Sequence, residues 1–357
     1  MRRWYRPPMR RSSRLTAATH ALLCGAALLA GTAAAQPTAA PARKTVTIEP
    51  ETYHGWPNSY RLATPFLEAR VVTAIGPRIM ELRTADGTNL FHVRDAELGH
   101  SGESEWMFRG GWRLWVAPET RAKTYVPDNA PCAVEVDGGV LRVSGPPQPA
   151  AGIQKIVELE PAADAPCLHV RSRIRNISTA PVTYAAWSLS VMRPGGRAFA
   201  PLDVGPLDAF DATRKLILWS YTELADPRYR FGDRLVQIDH TRVRPAPAST
   251  ARRDDESKIG VDSAQGWAAY LVDRTLYLKR FPYQPGAPYP DGGATIELYS
   301  SAEFLEVENL SPLTTIQPGG ELVYPEDWWI FPNVDLPTDD AAALDALQVI
   351  LKRTPTM

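Results

Sequence analysis

Between Trp106 and Glu119 the chain places three tryptophans, two arginines, a Gly110-Gly111 step and a Pro118-Glu119 pair within fourteen positions. Indole rings present flat apolar faces that can stack on the apolar faces of sugar rings. Guanidinium and carboxylate groups can hydrogen-bond to ring hydroxyls. The segment therefore has the composition of a carbohydrate cleft, with Trp106, Arg113, Trp115 and Glu119 as candidate contacts. If it runs as a strand, Arg113 and Trp115 share one face and Trp112 takes the other, so at most one or two of the indoles can meet a ligand. Arg113 and Glu119 could equally pair with each other as a structural ion pair.

Further charged residues are candidates on similar grounds. Lys279 and Arg280 are adjacent in a β-rich run, so they point to opposite faces and one of them is expected to reach the cleft. Arg78 follows Gly76-Pro77 and is open to either a structural or a binding role. Other chemistries lack their signatures: there is no Gly-x-Ser-x-Gly elbow, phosphate loop, His-Glu-x-x-His or dinucleotide fingerprint, so neither a metal nor a cofactor is implied. Cys132 and Cys167 form an even pair outside the first residues, open to a disulfide or to two buried thiols.

The beginning of the chain bears on where these residues work. Six arginines between Arg2 and Arg14 precede an apolar stretch from about Ala21 to Leu29, and Ala33-Ala34-Ala35 offers a small-residue cleavage site. This reads as a secretory signal over residues 1–35, cut after Ala35, with Met9 as an alternative start. The apolar stretch is shorter than the roughly 20 residues a membrane span needs. The expectation is a periplasmic or secreted protein with no stable span after cleavage. Residues 36–44, rich in Pro, Ala and Thr, read as a disordered spacer. Without the six leader arginines the chain has 33 basic against 40 acidic side chains, a formal charge of −7. Such a balance excludes a typical nucleic-acid binder, whose affinity needs clustered Lys and Arg.

The elements that would position the site are strands. From Thr45 onward, short β-rich runs recur at close spacing, among them Leu67 to Ala74, Ile153 to Leu159, Val182 to Met192, Thr295 to Tyr299, Leu305 to Glu308 and Leu322 to Ile330. Many alternate apolar and polar residues, and turn signals such as Asp137-Gly138-Gly139 and Pro318-Gly319-Gly320 separate them. With 33 prolines and 24 glycines there is little room for long helices. The pattern predicts an all-β protein, a large antiparallel sandwich over residues 45–338. Residues Gln237 to Ser263, with the run Arg252 to Glu256, break the rhythm and read as a solvated loop or a cleft rim. One helix is expected over residues 339–353, capped by Thr338 or Asp339 with Leu344, Leu347 and Leu351 as its apolar face, packed on the sandwich edge.

Several ordered segments carry a resemblance. They include Tyr53-His54-Gly55-Trp56-Pro57-Asn58-Ser59-Tyr60-Arg61-Leu62, Gly76-Pro77-Arg78-Ile79, Gly110 to Glu119, Tyr125-Val126-Pro127-Asp128-Asn129, Gly152-Ile153-Gln154-Lys155, Gly266-Trp267-Ala268-Ala269-Tyr270 and Phe304-Leu305-Glu306-Val307-Glu308. In this order they resemble an uncharacterised bacterial family, itself similar to the galactose mutarotase-like, or aldose 1-epimerase, superfamily of large twisted β-sandwiches with a sugar cleft. The resemblance adds Asp128 and Asn129 to the candidate contacts. It also implies a carboxylate base at Glu306, with Glu308 close behind; the two share a strand face at i and i+2, while Leu305 and Val307 face the other way. Epimerases of that kind pair the base with a histidine acid, and no histidine of this chain falls on a match to it. The resulting expectation is a secreted protein that binds a mono- or oligosaccharide, without turnover. The alternatives are an epimerase-like or other sugar enzyme using Glu306 or Glu308 as base, with Glu119 or Arg113 among the candidate acids, and a non-catalytic envelope scaffold.

Overall fold

The computed structural model describes residues 45–206, 208, 210, 212–242 and 255–357. The expected leader and spacer, and residues 252–254 of the mixed-charge run, lie outside the described residues. The described residues form one compact unit. Its strands build two antiparallel sheets. In the larger, neighbours follow the order Thr47–Tyr53, Trp56–Ala63, Leu67–Val72, Arg78–Thr84, Trp112–Ala117, Val182–Met192, Leu305–Leu310, Ile296–Ser300, Ser257–Asp262 and Lys215–Leu218. Thr314–Ile316 pairs separately with the first part of Val182–Met192. In the smaller the order is Tyr229–Phe231, Leu235–Asp239, Arg197–Pro201, Trp267–Val272, Thr275–Arg280, Glu321–Phe331, Cys167–Asn176, Ile153–Pro161, Val140–Ser144 and Ala133–Asp137. The protein is the all-β sandwich that the alternation predicts. Among the described strands, Trp56–Ala63, Lys215–Leu218 and Ser257–Asp262 are not marked by the β-rich runs of the sequence.

The main core lies between the sheets and takes alternate residues from each. Leu114, Val116, Leu298, Leu305 and Val307 enter it from the larger sheet, and Val170, Tyr277, Trp328 and Ile330 from the smaller. Trp112 meets Trp328 edge to face across it, with ring centroids 5.4 Å apart. At the strand Arg78–Thr84 the register shifts, Arg70 pairing with Glu81 and Val71 with Ile79. That bulge lets Ile79 and Leu82 both reach the core although they are three residues apart.

The helix's seat departs from expectation, and the alternative left open for the cysteines is decided. The helix forms over Asp340–Leu351, capped by Asp339, whose side chain accepts from the Ala342 N–H at 3.0 Å. It covers the outer face of the smaller sheet rather than its edge. Ala343, Leu344, Leu347 and Ile350 pack there with Phe199, Trp267, Leu276, Leu278 and Trp329, because these outward residues of the middle strands are themselves apolar and need a cover. The cysteines are not bridged. Cys132 Sγ donates to the Ile75 carbonyl at 3.4 Å, and Cys167 is buried beneath the helix. No described helix is long and apolar enough to cross a membrane.

Leu347 is fully buried in this second core. Leu347→Ala is expected to destabilise the protein by about 3 kcal/mol through lost burial and a cavity, and Asp339→Ala by about 1 kcal/mol through loss of the cap. Urea unfolding of the two variants beside wild type measures both values; equal midpoints for all three would show that the helix contributes nothing to the fold.

Candidate functional site

Five neighbouring strands of the larger sheet build the site, each turning alternate residues outward: Trp112–Ala117, Val182–Met192, Leu305–Leu310, Ile296–Ser300 and Ser257–Asp262. From the first come Arg113 and Trp115, from the second Trp187 and Leu189, from the third Glu306, from the fourth Tyr299 and from the fifth Lys258. The registers place Trp187 beside Trp115, Leu189 between Arg113 and Glu308, and Tyr299 between Glu306 and Lys258. Loops raise walls around this floor, bringing Trp106, Phe108, Glu119, Tyr125, Trp219, Tyr221 and Phe304 around a cavity of about 700 Å³.

The floor is charged although it is enclosed. Arg113 Nη2 donates to Glu306 Oε1 at 2.9 Å, and the guanidinium lies 4.3 Å from the Trp115 ring centroid and 5.5 Å from those of Trp106 and Phe108. Deeper in the sheet, Lys258 Nζ sits 2.7 Å from Glu297 Oε2 and 3.0 Å from Glu308 Oε2, between the rings of Trp187 and Trp219 at 4.5 and 4.8 Å. The Trp187 indole donates to the same Glu308 oxygen at 2.7 Å. Cation–π contact and ion pairing together compensate the loss of water around each cation.

These contacts set the protonation of the floor. Burial pushes the Glu306 carboxyl up, Arg113 opposes it and the nearby Glu308 charge adds to it, leaving a raised pKa. Burial likewise carries Glu297 well above the carboxylate range, with Lys258 opposing and Glu308 adding. Lys258 moves the other way from its desolvation, because Glu297 and Glu308 hold it charged. On the wall, Tyr125 donates to Glu119 at 2.5 Å, and burial with that contact raises the phenol.

Of the expected residues, Trp106, Arg113, Trp115, Glu119 and Glu306 meet at the cavity. Arg113 pairs with Glu306, and Glu119 with Tyr125, so the Arg113–Glu119 pair does not form. Glu308 shares the face of Glu306 but is fully buried beneath Trp187 and Lys258. Arg78, Asp128 and Asn129 are not lining residues. Arg78 grips Asp128 through two bonds of 2.9 and 3.1 Å and donates to the Phe108 and Met107 carbonyls at 2.7 and 2.9 Å. Asn129 donates to the Glu103 and Glu105 carbonyls and accepts from Arg109. They fasten the loop that carries Trp106 and Phe108. The Gly110-Gly111 step serves the same loop: both have positive φ, and a Cβ on Gly110 would stand 2.2 Å from the His92 carbonyl.

Neither Lys279 nor Arg280 reaches the cleft, because their strand belongs to the smaller sheet. Lys279 turns into the core, where it meets Glu326 Oε1 at 3.2 Å and Ser188 Oγ at 2.9 Å. Arg280 turns outward and donates to the Pro355 carbonyl. No described histidine lines the cavity. His92 bonds Glu303, His169 bonds Asp327, and His240 lies against the Ser301 carbonyl. Sequence reading missed Lys258, Glu256, Trp187, Trp219, Tyr221 and Tyr299. Lys258 and Glu256 lie in the stretch read as a loop or rim, whose described end is a strand with its polar residue turned to the cavity. Trp187 sits in an almost wholly apolar run, where no alternation marks the outward face.

A scan against protein-family models finds no match, and no curated protein matches the chain. Among solved structures, a putative aldose 1-epimerase from Klebsiella pneumoniae subsp. pneumoniae MGH 78578 is similar over 86% of this chain and 87% of its own, with 12% identity and a TM-score of 0.53. A TPR-domain containing protein from Parabacteroides distasonis ATCC 8503 is similar over 79% of this chain and 49% of its own, with 12% identity and a TM-score of 0.51. A galactose mutarotase-like protein from Clostridium acetobutylicum covers 80% of this chain with 99% of its own at 11% identity and a TM-score of 0.49. The chain shares the fold of the putative aldose 1-epimerase, a large two-sheet antiparallel sandwich.

The clamp under the loop is testable through pH. Burial alone would raise the Asp128 carboxyl, but Arg78, helped by Lys155 and Arg109, outweighs it and holds the pKa below the usual carboxylate value. The folded pKa is depressed, so the contribution is fully present above the unfolded value of about 4 and is lost as pH falls through the lower folded one. Asp128→Asn is expected to cost about 3 kcal/mol at pH 7 by leaving Arg78 buried without its counter-charge. The gap to wild type should narrow as the pH of the unfolding experiment is lowered below about 4; a gap independent of pH would remove the ion pair from the explanation.

Proposed function

We propose that this chain binds a carbohydrate, a mono- or oligosaccharide seated in the cavity above Arg113 and Glu306, and that it does so without histidine-assisted mutarotation. The observation that carries the reading is a cavity of about 700 Å³ walled by Trp106, Trp115, Tyr125 and Trp219 and floored by the Arg113–Glu306 pair. Its size falls within the range that holds small ligands. An aromatic face carries a negative quadrupole that suits the electropositive C–H face of a pyranose. The Glu306 carboxyl, Glu119 and Tyr299 offer hydrogen-bond partners for hydroxyls. The arginine-rich start followed by an apolar stretch and Ala33-Ala34-Ala35 supports export to the periplasm or beyond, with a mature chain beginning at Gln36.

A second reading has one observation in its favour. Glu306 lies at the cavity with a pKa raised by burial, and a carboxyl moved toward neutrality can both take and return a proton. Glu306 would then act as the base of an epimerase-like reaction on the same ligand.

Proton NMR of freshly dissolved α-D-glucose and α-D-galactose, and of oligosaccharides built from them, separates the two. The expected result is ligand line broadening with anomer exchange no faster than in buffer, and a loss of affinity of at least about tenfold in Trp115→Ala, since stacking on one ring contributes about 1.4 kcal/mol or more. Acceleration that disappears in Glu306→Gln while broadening persists would establish the second reading. Neither broadening nor acceleration across a broad glycan panel would sink both.

A further inference from the structure

A second cluster of reactive side chains lies on the outer face of the smaller sheet, away from the cavity. Cys167 and His169 are two residues apart on the strand Cys167–Asn176, so they leave the same face. Asp327 is the direct partner of His169 on the neighbouring strand. One donor atom from each of the three lies within 4.8 Å of the others. His169 Nδ1 is 2.6 Å from Asp327 Oδ1 and 3.9 Å from Cys167 Sγ. Glu160 faces His169 from the strand on the other side. A cavity of about 280 Å³ opens beside the group, with Glu158, Glu160, His169 and Asp327 in its wall.

Thiol, imidazole and carboxylate in that order suggest a nucleophilic triad, but the geometry does not support one. A triad uses both ring nitrogens, one toward the nucleophile and the other toward the orienting acid. Here the same Nδ1 faces both partners. Its proton, donated to Asp327, leaves no lone pair there to take a proton from sulfur. Burial, with the Asp327 charge adding to it, also keeps the thiol strongly protonated.

Three donors converging on one region suit a cation instead. We infer that Cys167, His169 and Asp327 form a three-donor site for a borderline divalent metal ion such as Zn²⁺, with the side cavity supplying a fourth position to water or Glu160. Sulfur, imidazole nitrogen and carboxylate oxygen are the ligand atoms that Zn²⁺ takes. Bond lengths of about 2.3 Å to sulfur and 2.0–2.2 Å to nitrogen and oxygen, at tetrahedral angles, call for S···N and N···O separations of about 3.6 and 3.4 Å. The observed 3.9 and 2.6 Å reach those values by small movements of His169, whose side chain is 46% exposed. Binding would release the thiol proton and replace the Nδ1 proton with one on Nε2, so that the imidazole binds as the neutral ring, and the ion would neutralise the thiolate and carboxylate that otherwise repel each other. The two neighbouring strands already fix the donors, so little ordering opposes the association.

Titration of the untagged protein with Co²⁺ followed by displacement with Zn²⁺ tests this directly. The expected result is a thiolate-to-cobalt charge-transfer band with tetrahedral visible absorption, saturating at a single equivalent and abolished by Zn²⁺. Cys167→Ser should remove the band. His169→Ala, a change at an exposed side chain that leaves the core intact, should weaken cobalt binding at least tenfold, whereas Cys132→Ser should change nothing. Absence of the band in wild type overturns the inference, as does a band that survives Cys167→Ser or His169→Ala or that vanishes in Cys132→Ser. Because none of these residues touches the larger cavity, the outcome is independent of whether that cavity binds sugar.

Discussion

The middle strands of the larger sheet must bury both faces, one against the second sheet and the other beneath the loops that wall the cavity. Alternation of side chains makes this possible, since odd and even positions meet different environments. Leu305 and Val307 enter the core while Glu306 and Glu308 turn away from it. Slipping the strand by one residue would place both carboxylates among Leu298, Ile330 and Trp328. The charges on the outward face are nonetheless short of water, and so each is met by an opposite charge or a ring. The ordering of the cleft follows from that need: Arg113 is fixed between Glu306 and Trp115, and Lys258 between two carboxylates and two indoles.

Buried ion pairs seldom stabilise a fold, because the desolvation of both partners offsets their attraction. Two of the described buried pairs differ in what surrounds them. Lys279 and Glu326 are sealed inside the sandwich, where Ser188 from the larger sheet donates to Glu326 from the smaller at 3.0 Å and so joins the layers. Arg113 and Glu306 border open space. Apolar residues could fill the first position without changing any surface. At the second, the same substitution would leave a greasy hollow with nothing to direct a polar ligand. Departures from local consistency of this kind, a charged pair kept at an enclosed but accessible position, concentrate at functional sites.

How much of this was legible follows from which rule each residue obeys. The parity of Arg113 and Trp115 against Trp112, and of Glu306 against Leu305 and Val307, could be read because regular strands carry them. Arg78 and Asp128 could be picked out by type but not by role, since a bulge beside Arg78 breaks the alternation and the partners lie fifty positions apart. Lys279 and Arg280 were correctly expected to diverge; that their strand belongs to the other sheet is a fact of topology that no local pattern holds. Lys258 and Trp187 escaped for opposite reasons, one following a charged run that reads as solvated, the other lying in a strand too apolar to show a face. The helix was legible through its cap and spacing, whereas its seat depended on Phe199, Trp267 and Trp329 from three separated strands.

Sharing a fold with a putative aldose 1-epimerase at 12% identity settles the architecture and leaves the chemistry to the side chains. Opening a pyranose needs a base at the anomeric hydroxyl and an acid at the ring oxygen. Glu306 lines the cavity with a carboxyl whose pKa burial raises. Phenols line the cavity with Glu306, among them Tyr299, its direct partner on the neighbouring strand. Tyr125 and Tyr299 are both pushed upward, chiefly by burial and further by neighbouring carboxylates. A phenol that holds its proton more tightly is a poorer acid while still donating a good hydrogen bond. Aromatic faces, a carboxyl that can accept or donate, and weakly acidic phenols together make a surface able to orient hydroxyls and stack a ring. Both phenols and the Glu306 carboxyl are moved upward by the same burial, whereas acid–base work across a ring uses two groups whose proton affinities the environment sets apart.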